Sequence, residues 1–438
     1  MAAVIKPPFL STYDPIADGE GSIDPLGLAA TYERLADLIL PGITVRMGRP
    51  RFLTALAVGA YVCAEFGKDE LAADEVTPPY LVFEWWIVEA FIRAADHLAE
   101  SGRIPGMMKA QACVRNGRPL SAPAYLKTPT VFGFTGIFRR LARHTQILTP
   151  DGLLDESGHR LVEVWAKEQG LDGFVYGREG NGARFRDDLR KAVTQGLKEA
   201  HTSQRPGAFW QAIAKYLDPA KPGRNERKLL LDLISNRSGP ADDVKFIIDA
   251  LRKRKAPLDW PDEASMYKSL LKTAPASLKP ALTAIDTYES FCRPLNDAFD
   301  WMLYLASSEP SAGISAEDYL RRAPASKLHK QISTAMSRVE SDDLVGAKWT
   351  ERSEVLTLLR EITAPDKIFP TLLEHHRQAQ ARKPPDGKRP WLEQTARGRL
   401  VVRSSYRREV EPAPVSEYLH EYRLPTLSRF LQDLGAFA

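Results

Sequence analysis

Three acidic residues in the first hundred positions are the candidates for acid–base chemistry. Asp24 stands before Pro25, an arrangement typical of a helix N-cap, so capping is its simplest role and catalysis the alternative. Asp37 follows Arg34 by three residues, and we expect a surface ion pair between them. Glu84 has only apolar or aromatic neighbours three and four positions away, so its carboxylate must find a distant Arg or Lys or have its pKa raised. A structural ion pair is the expectation for Glu84, and a working site is the alternative.

Positive charge is concentrated in two windows of the chain. Residues 101–150 carry eight Lys or Arg and no Asp or Glu, and the eight are Arg103, Lys109, Arg115, Arg118, Lys127, Arg139, Arg140 and Arg143. From Arg377 to Arg408, ten Lys or Arg stand against Asp386 and Glu393, while the whole chain has a net charge of only +4. Clustered cations are the footprint of phosphate neutralisation, so we predict double-stranded DNA as the partner. Two solvated faces are the alternative.

The residues predicted to contact DNA are cations near the first helix or within the two windows. They are Arg34, Arg46, Arg49, Arg51, Lys127, Arg139, Arg140, Arg143 and Arg403. Four aromatic side chains could hold a base by stacking, namely Trp85, Trp86, Phe132 and Phe134. Packing in a core is the commoner fate of such residues, so both interpretations stay open for them.

The sequence predicts neither a metal nor a cofactor. No GxxxxGK[ST], no GxGxxG after a strand and no GxSxG occurs, so ATPase, dinucleotide and α/β-hydrolase chemistry have no support. Cys63, Cys113 and Cys292 form no CxxC, and no histidines have a metal-ligand spacing. The longest apolar run, Phe52 to Ala64, is too short for a bilayer, and Met1 to Leu10 lack the pattern of a secretory signal. We therefore expect a cytoplasmic protein without membrane contact, and the oligomeric state stays open.

The elements that must position these residues are mainly helices. Prolines open several apolar-periodic segments, as at Pro25, Pro50 and Pro79, and Pro41-Gly42 ends the first of them. Because 438 residues exceed what one core usually organises, we predict a mainly α, multidomain helical protein. The predicted parts are an N-terminal helical domain with a basic loop (1–102), a basic winged-helix-like domain (103–195), a helical domain (196–380) and a basic C-terminal segment (381–438).

The winged-helix-like segment is built around a basic amphipathic helix. Its predicted range is about 131 to 147, with Phe134, Ile137 and Phe138 at helical spacing beside the arginines. A turn-rich ribbon follows, and 160–169 is predicted as a second helix. This order resembles a winged helix, and an ordinary helix pair joined by a hairpin is equally consistent with it. Near the C-terminus, Arg399 to Tyr406 is predicted as a short strand.

Several short segments carry a family resemblance. They are Asp24-Pro25-Leu26-Gly27, Glu33 to Asp37, Leu40 to Thr44, Arg49 to Phe52, Ile104 to Gly106, Tyr125 to Phe134, Ile137 to Ala142, Trp391, Arg399 to Arg403 and Tyr422 to Pro425. Together they resemble a family of uncharacterised helical proteins found among bacterial antiphage defence genes. The resemblance covers roughly the first 170 and the last 50 residues. Among proteins of this kind, it implies a DNA glycosylase that removes glucosylated cytosine bases from phage DNA and leaves abasic sites.

Such a glycosylase needs an extruded base, aromatic groups that hold it, and a carboxylate that opposes the positive charge on the sugar. Asp37, Asp24 and Glu84 are the candidate acids. Leu40-Pro41-Gly42 also resembles the hairpin of helix-hairpin-helix glycosylases, whose backbone N–H groups hold a phosphate. Here Thr44 stands where that hairpin has a glycine, and no Val-Asp-Thr segment follows.

Two other functions remain open from the sequence. One is a non-catalytic winged-helix DNA-binding regulator or accessory subunit of a defence system. The other is a helical scaffold whose basic windows contact an acidic protein. Convergence of the three acids on one pocket beside Arg46, Arg49 or Arg51 would favour the enzyme, whereas dispersal would favour a binding protein.

Overall fold

The structure is a computed structural model that describes residues 23–67, 69–94, 104–126, 128–237, 241–253, 262–384, 386–413 and 418–437. Within these ranges helices dominate, and the sheet consists of two short antiparallel strands. The predicted mainly α fold is therefore confirmed. Arg103 and Lys127, two cations of the first basic window, lie outside the described residues.

The chain forms two compact units, and each is assembled from separate stretches of sequence. Unit 1 comprises the described parts of Met1–Ala36 and Leu278–His420, and unit 2 those of Asp37–Ser277 and Glu421–Ala438. The first boundary falls inside helix α1, Ala29–Ile39. The four consecutive parts predicted from the sequence cut across these units, since both the first and the last of them contribute to each unit.

The helices of unit 2 follow α1 along the chain, apart from one that the C-terminal segment supplies. They are α2 (Phe52–Cys63), α3 (Pro79–Ala94), α4 (Met107–Arg115), α5 (Pro129–Phe132), α6 (Phe134–His144), α7 (Glu156–Glu168), α8 (Asn181–Glu199), α9 (Gly207–Leu217), α10 (Arg224–Ser235), α11 (Ala241–Arg252), α12 (Glu263–Thr273) and α19 (Leu424–Asp433).

Helix α3 lies at the centre of unit 2. It packs against α2, α4, α6, α8 and α9, and nearly all of its side chains are buried. This burial on every side explains why its sequence is apolar almost without interruption rather than amphipathic. Helix α2 is likewise buried along most of its length. Among the described residues, no helix combines the length and the apolar character needed to cross a bilayer.

The predicted basic helix is present but divided. Gly133 has an extended backbone, so a single turn, α5, precedes α6. A short ribbon with one antiparallel bridge, Leu148 to Leu154, then leads into α7, whose N-cap Asp155 accepts a hydrogen bond from the N–H of Glu156 at 2.8 Å. The helix, ribbon and helix thus follow in the predicted order, and the comparison with a winged helix stays a prediction.

Unit 1 is built around one long helix. Its elements after the start of α1 are α13 (Lys279–Ser308), α14 (Ala316–Arg322), α15 (Ala325–Ser341), α16 (Asp343–Lys348), α17 (Arg352–Leu359), α18 (Ile368–Ala381), β1 (Leu392–Gln394) and β2 (Leu400–Val402). The strands pair antiparallel with Leu392 opposite Val402. The predicted C-terminal strand is therefore confirmed, although it is shorter than its predicted range.

The first described residues of unit 1 are attached to it by part-buried hydrogen bonds. Asp24 accepts hydrogen bonds at 3.0 Å from the N–H groups of Leu28 and Ala29, so it caps the start of the helix, although it lies four residues before the N-cap position and not at it as predicted. The helix begins later than Pro25 predicts, because Gly27 at φ +70° turns the chain first. The ring of His376 contacts the carbonyl oxygen of Pro25 at 2.8 Å.

Candidate nucleic-acid interface and adjacent cavity

Glu84 is a buried carboxyl that joins three segments of unit 2. One of its oxygens accepts a hydrogen bond from the Tyr125 hydroxyl at 2.9 Å, and the other accepts one from the N–H of Thr135 at 2.8 Å. Burial raises the pKa of Glu84 from 4.5 to about 7, while the hydrogen bonds from Thr135 and Tyr125 oppose that rise. Among the described residues, no Arg or Lys pairs with Glu84, although the sequence predicts one. The other outcome that the sequence left open, a raised pKa, is the one present.

The Glu84 carboxylate also acts as the cap of α6. The N-cap position of that helix is Gly133, which has no side chain to accept a hydrogen bond from the first N–H groups. Glu84 supplies the acceptor from α3 instead. A negative charge at a helix N-terminus is favoured by the helix dipole, so the same contact orients α6 and partly offsets the burial of the carboxyl.

Two glycines make room for this arrangement. A Cβ at Gly133 would lie 1.9 Å from a Glu84 carboxylate oxygen, and a Cβ at Gly106 would lie 2.3 Å from the Tyr125 hydroxyl. Gly106 additionally has φ +77°, which residues with a side chain rarely adopt. Both positions therefore require glycine as long as Glu84 and Tyr125 stay where they are.

We predict that Glu84→Gln removes a pH-dependent share of stability. Because the folded-state pKa is raised, the stabilisation is complete below pH 4.5 and is lost as the pH rises towards 7. The difference between pH 4.5 and 7 corresponds to about 3 kcal/mol at most. Urea denaturation across this range should show that contribution in the parent protein and not in the variant. Glu70→Gln, at an exposed site, is the control, and an unchanged profile in Glu84→Gln would refute the assignment.

Asp37 bridges two arginines of unit 2. Its carboxylate forms ion pairs with Arg140, which is more than half exposed, and with Arg423, which is buried. The predicted surface pair with Arg34 is wrong, because Arg34 donates to the carbonyl oxygen of Lys348 and the hydroxyl of Thr350. A buried guanidinium needs a counter-ion more than an exposed one does, so Arg423 determines where the Asp37 carboxylate lies.

We predict that Asp37→Asn lowers the stability of the protein by about 3 kcal/mol, because it removes a carboxylate that pairs with the buried Arg423 guanidinium. The free energy of unfolding from urea titration measures this effect. Asp188→Asn changes an exposed side chain in the same unit and serves as the matched control. Equal stabilities of the two variants would contradict a structural role for Asp37.

Three arginines predicted to contact DNA are engaged in the fold. Arg51 is buried and forms a two-point ion pair with Glu226, with distances of 2.8 and 3.0 Å. Arg49 pairs with Asp433 at 3.1 Å, with both side chains mostly buried. Arg403, in unit 1, is buried beside the ring of Tyr406. Burial removes Arg51 and Arg403 from the surface that a phosphate could reach, and Asp433 neutralises Arg49.

The four predicted stacking residues fall into two groups. Trp85, Trp86 and Phe134 are buried, with Trp86 stacked on Trp210 at 5.5 Å between ring centroids, so the core interpretation accounts for the two tryptophans. Phe132 is different, since 45% of its surface is exposed. The guanidinium of Arg46 lies over its ring at 4.9 Å.

The turn at Pro41 and Gly42 is buried rather than exposed to solvent. The carbonyl oxygen of Pro41 accepts a hydrogen bond from Arg237 at 2.7 Å, and a Cβ on Gly42 would lie only 3.0 Å from the Leu141 backbone. The turn therefore packs under α6. Its predicted likeness to a phosphate-holding hairpin is not supported, because buried N–H groups cannot meet a phosphate.

Two of the remaining cations, Arg46 and Arg429, line a groove on unit 2. The groove has a volume of about 300 Å³ and is lined by Val45, Arg46, Met47, Gly48, Ile104, Pro105, Ile137 and Arg429. No described Asp or Glu is among its lining residues. We call the surface formed by Arg46, Phe132, Arg140, Arg143 and Arg429 the basic face. Arg429 was missed by the sequence analysis, because it lies outside both basic windows.

No family model, curated protein or solved structure matches the chain.

A larger cavity of about 600 Å³ lies at the other edge of α6. Four of its walls are the rings of Tyr61, Tyr80, Phe83 and Phe134, and polar groups come from Thr135, Arg139, Asp151, His159 and Arg190, among others. Of the predicted site residues that the structure describes, only Phe134 and Arg139 line it. None of the three predicted acids does, although Glu84 lies behind its wall through the bond to Thr135.

Metal binding has no candidate in the described part of the chain. There, no three His, Cys, Asp or Glu side chains gather as a metal ion would require. Cys63, Cys113 and Cys292 are free thiols. Burial raises the pKa of Cys63 well above its usual range, so it is a poor nucleophile in this environment.

Proposed function

We propose that unit 2 binds double-stranded DNA through the basic face. The observation that carries this proposal is the set of cations on the basic face, two of which, Arg46 and Arg429, line a groove without acidic lining. Arg46 and Arg143 are exposed, and among the described residues neither has an ion-pair partner. Arg140 is more than half exposed, although it shares the Asp37 carboxylate with Arg423. Guanidinium groups in such a setting neutralise phosphates and release counterions.

The exposed ring of Phe132 gives the basic face a second kind of contact. A large apolar side chain at a protein surface usually marks an interaction site. Arg46 lies over this ring, and an arginine held against an aromatic ring can contact a phosphate while the ring packs against a sugar or a base. Arg34 and Arg403 belong to unit 1 and are not part of this proposal.

The resemblance to antiphage-defence proteins supports phage DNA as the target. Several of the resembling segments contribute to the basic face, among them Tyr125 to Phe134 and Ile137 to Ala142. Modified phage DNA is therefore the substrate class that we propose to test first.

Base excision, which the resemblance implies, has weaker support than DNA binding. An excising acid must face the sugar of an extruded nucleotide, but Asp24 caps a helix, Asp37 pairs with two arginines and Glu84 is buried with two hydrogen-bond partners. Each of the three acids is thus held by hydrogen bonds or ion pairs of its own within the fold. This distribution favours a DNA-binding regulator or accessory subunit over an enzyme that uses these acids.

We predict that DNA affinity depends steeply on salt and that the basic face sets the slope. The logarithm of affinity falls by about 0.9 per neutralised phosphate against the logarithm of salt concentration. Replacing Arg46, Arg140 and Arg143 together with Ala should therefore weaken binding and flatten the slope by about two to three. Fluorescence anisotropy with a labelled duplex over a series of salt concentrations measures both quantities.

The matched control replaces Arg178, Arg184 and Lys191 with Ala. These exposed cations lie in the same unit but near Glu179, Asp187 and Asp188, and their removal lowers the net charge equally. An equal flattening by the control would show that net charge alone matters. Failure of the parent protein to bind any duplex, together with binding to an acidic protein, would favour the scaffold alternative.

We predict that the purified protein leaves no alkali-labile sites in duplexes that contain glucosylated, hydroxymethylated or unmodified cytosine. Alkali treatment after incubation, followed by denaturing electrophoresis, detects abasic sites. Strand cleavage at the modified base would contradict this prediction and support base excision as the function. In that case Asp24→Asn, Asp37→Asn and Glu84→Gln, each compared at equal folded fraction, would identify the acid.

A further inference from the structure

The 600 Å³ cavity beside α6 has the size and lining of a small-molecule site. Ligand pockets typically occupy about 300 to 1,000 Å³ and combine apolar walls with a few polar groups. The exposed side chains of Leu153 and His159 lie at its rim, so the cavity is accessible from solvent. DNA binding through the basic face does not use this cavity.

The cavity walls suit a planar ring. Tyr61 and Phe83 come from α2 and α3, Tyr80 from the first turn of α3, and Phe134 from the start of α6. Aromatic side chains on several sides favour an aromatic ligand, because stacked and edge-on ring contacts add to the burial of apolar area.

Arg139 gives the cavity a positive group that is not neutralised by the protein. Its guanidinium lies over the ring of Tyr80 at 5.4 Å, and no described carboxylate pairs with it. A Cβ at Gly152 would lie 2.6 Å from the Arg139 Nη2, so the hairpin turn approaches the guanidinium closely at this glycine. Arg190, in the same lining, differs because Glu65 pairs with it at 3.0 Å.

Acceptors and donors complete the lining. Asp151 is exposed beside Gly152, and its carboxylate pairs with no other described side chain. His159 lies near the ring of Tyr61, with 6.2 Å between the centroids. The cavity therefore offers a cation, an anion and aromatic walls together, which fits a ligand that carries an aromatic ring, N–H or O–H donors and a negative group.

We propose that this cavity binds a nucleotide, with the base between the aromatic walls, the phosphate on Arg139 and sugar hydroxyls or base amino groups on Asp151. A guanidinium binds a phosphate through two parallel hydrogen bonds, which a lysine cannot do. A free mononucleotide and a nucleotide within a single strand present the same groups. This inference stands apart from the proposal of duplex binding by the basic face.

The test measures binding of AMP, GMP, CMP and UMP by isothermal titration calorimetry, with the matching nucleosides and inorganic phosphate as comparison ligands. We expect at least one nucleotide to bind more tightly than its nucleoside. Arg139→Gln should weaken that nucleotide by about tenfold or more and leave the nucleoside nearly unchanged. Arg184→Gln makes the same change at an exposed position of α8 outside the cavity lining and away from the basic face, and it should retain parental affinity.

A second pair of variants tests the cavity independently, in case the Arg139→Gln variant does not fold. Ala64→Trp places a large ring in the cavity from an exposed position at the end of α2, and it should abolish nucleotide binding. Ala112→Trp introduces the same ring at an exposed position of α4 and should leave binding intact. Thermal unfolding without ligand confirms that each variant is folded.

Three outcomes would overturn the proposal. They are no binding of any nucleotide at millimolar concentration, equal affinity for nucleotide and nucleoside, and binding that Ala64→Trp leaves unchanged. A short single-stranded oligonucleotide that lacks a terminal phosphate separates the two sources of the ligand. If it competes with the bound nucleotide, the cavity accepts a nucleotide within a strand, and if it does not, the ligand is a free mononucleotide.

Discussion

The burial of one carboxyl constrains the part of unit 2 that carries both surfaces. Glu84 lies inside the unit, and an unsatisfied carboxyl there would destabilise the fold by several kcal/mol, so its partners must stay in place. Those partners are the Tyr125 hydroxyl and the first turn of α6, and their approach requires Gly106 and Gly133. The carboxyl therefore fixes where α6 begins and in which direction it extends.

The position of α6 determines what its arginines can contact. Successive residues of a helix are rotated by about 100°, so Arg143 lies about 40° from Arg139 and about 60° from Arg140. Thr135 and Arg139 line the larger cavity, whereas Ile137 lines the groove of the basic face. The two sites thus lie at opposite edges of one helical surface, with Arg140 and Arg143 between them. A shift of α6 would alter both sites together.

Local sequence signals predicted the helices and the C-terminal strand, because the atoms involved lie within a few residues of one another. The same signals failed for Glu84, since its partners lie 41 and 51 residues further along the chain. No local pattern indicates that a helix lacking its own capping side chain will take one from another helix. The cavity was missed for the same reason, because α2, α3, α6 and the following ribbon all contribute to it.

Counting charges in the sequence had a related limit, because it cannot distinguish an exposed arginine from one that is buried in an ion pair. Arg46, Arg49 and Arg51 lie within six residues of sequence, yet Arg49 pairs with Asp433 and Arg51 is buried in an ion pair with Glu226. The acids that form these pairs come from remote stretches of unit 2. The C-terminal stretch, Glu421–Ala438, supplies Asp433, and it also supplies Arg423 and Arg429. It therefore neutralises Arg49 through Asp433 and adds Arg429 to the basic face, so the charge of this part of unit 2 depends on how the C-terminal stretch packs within the unit.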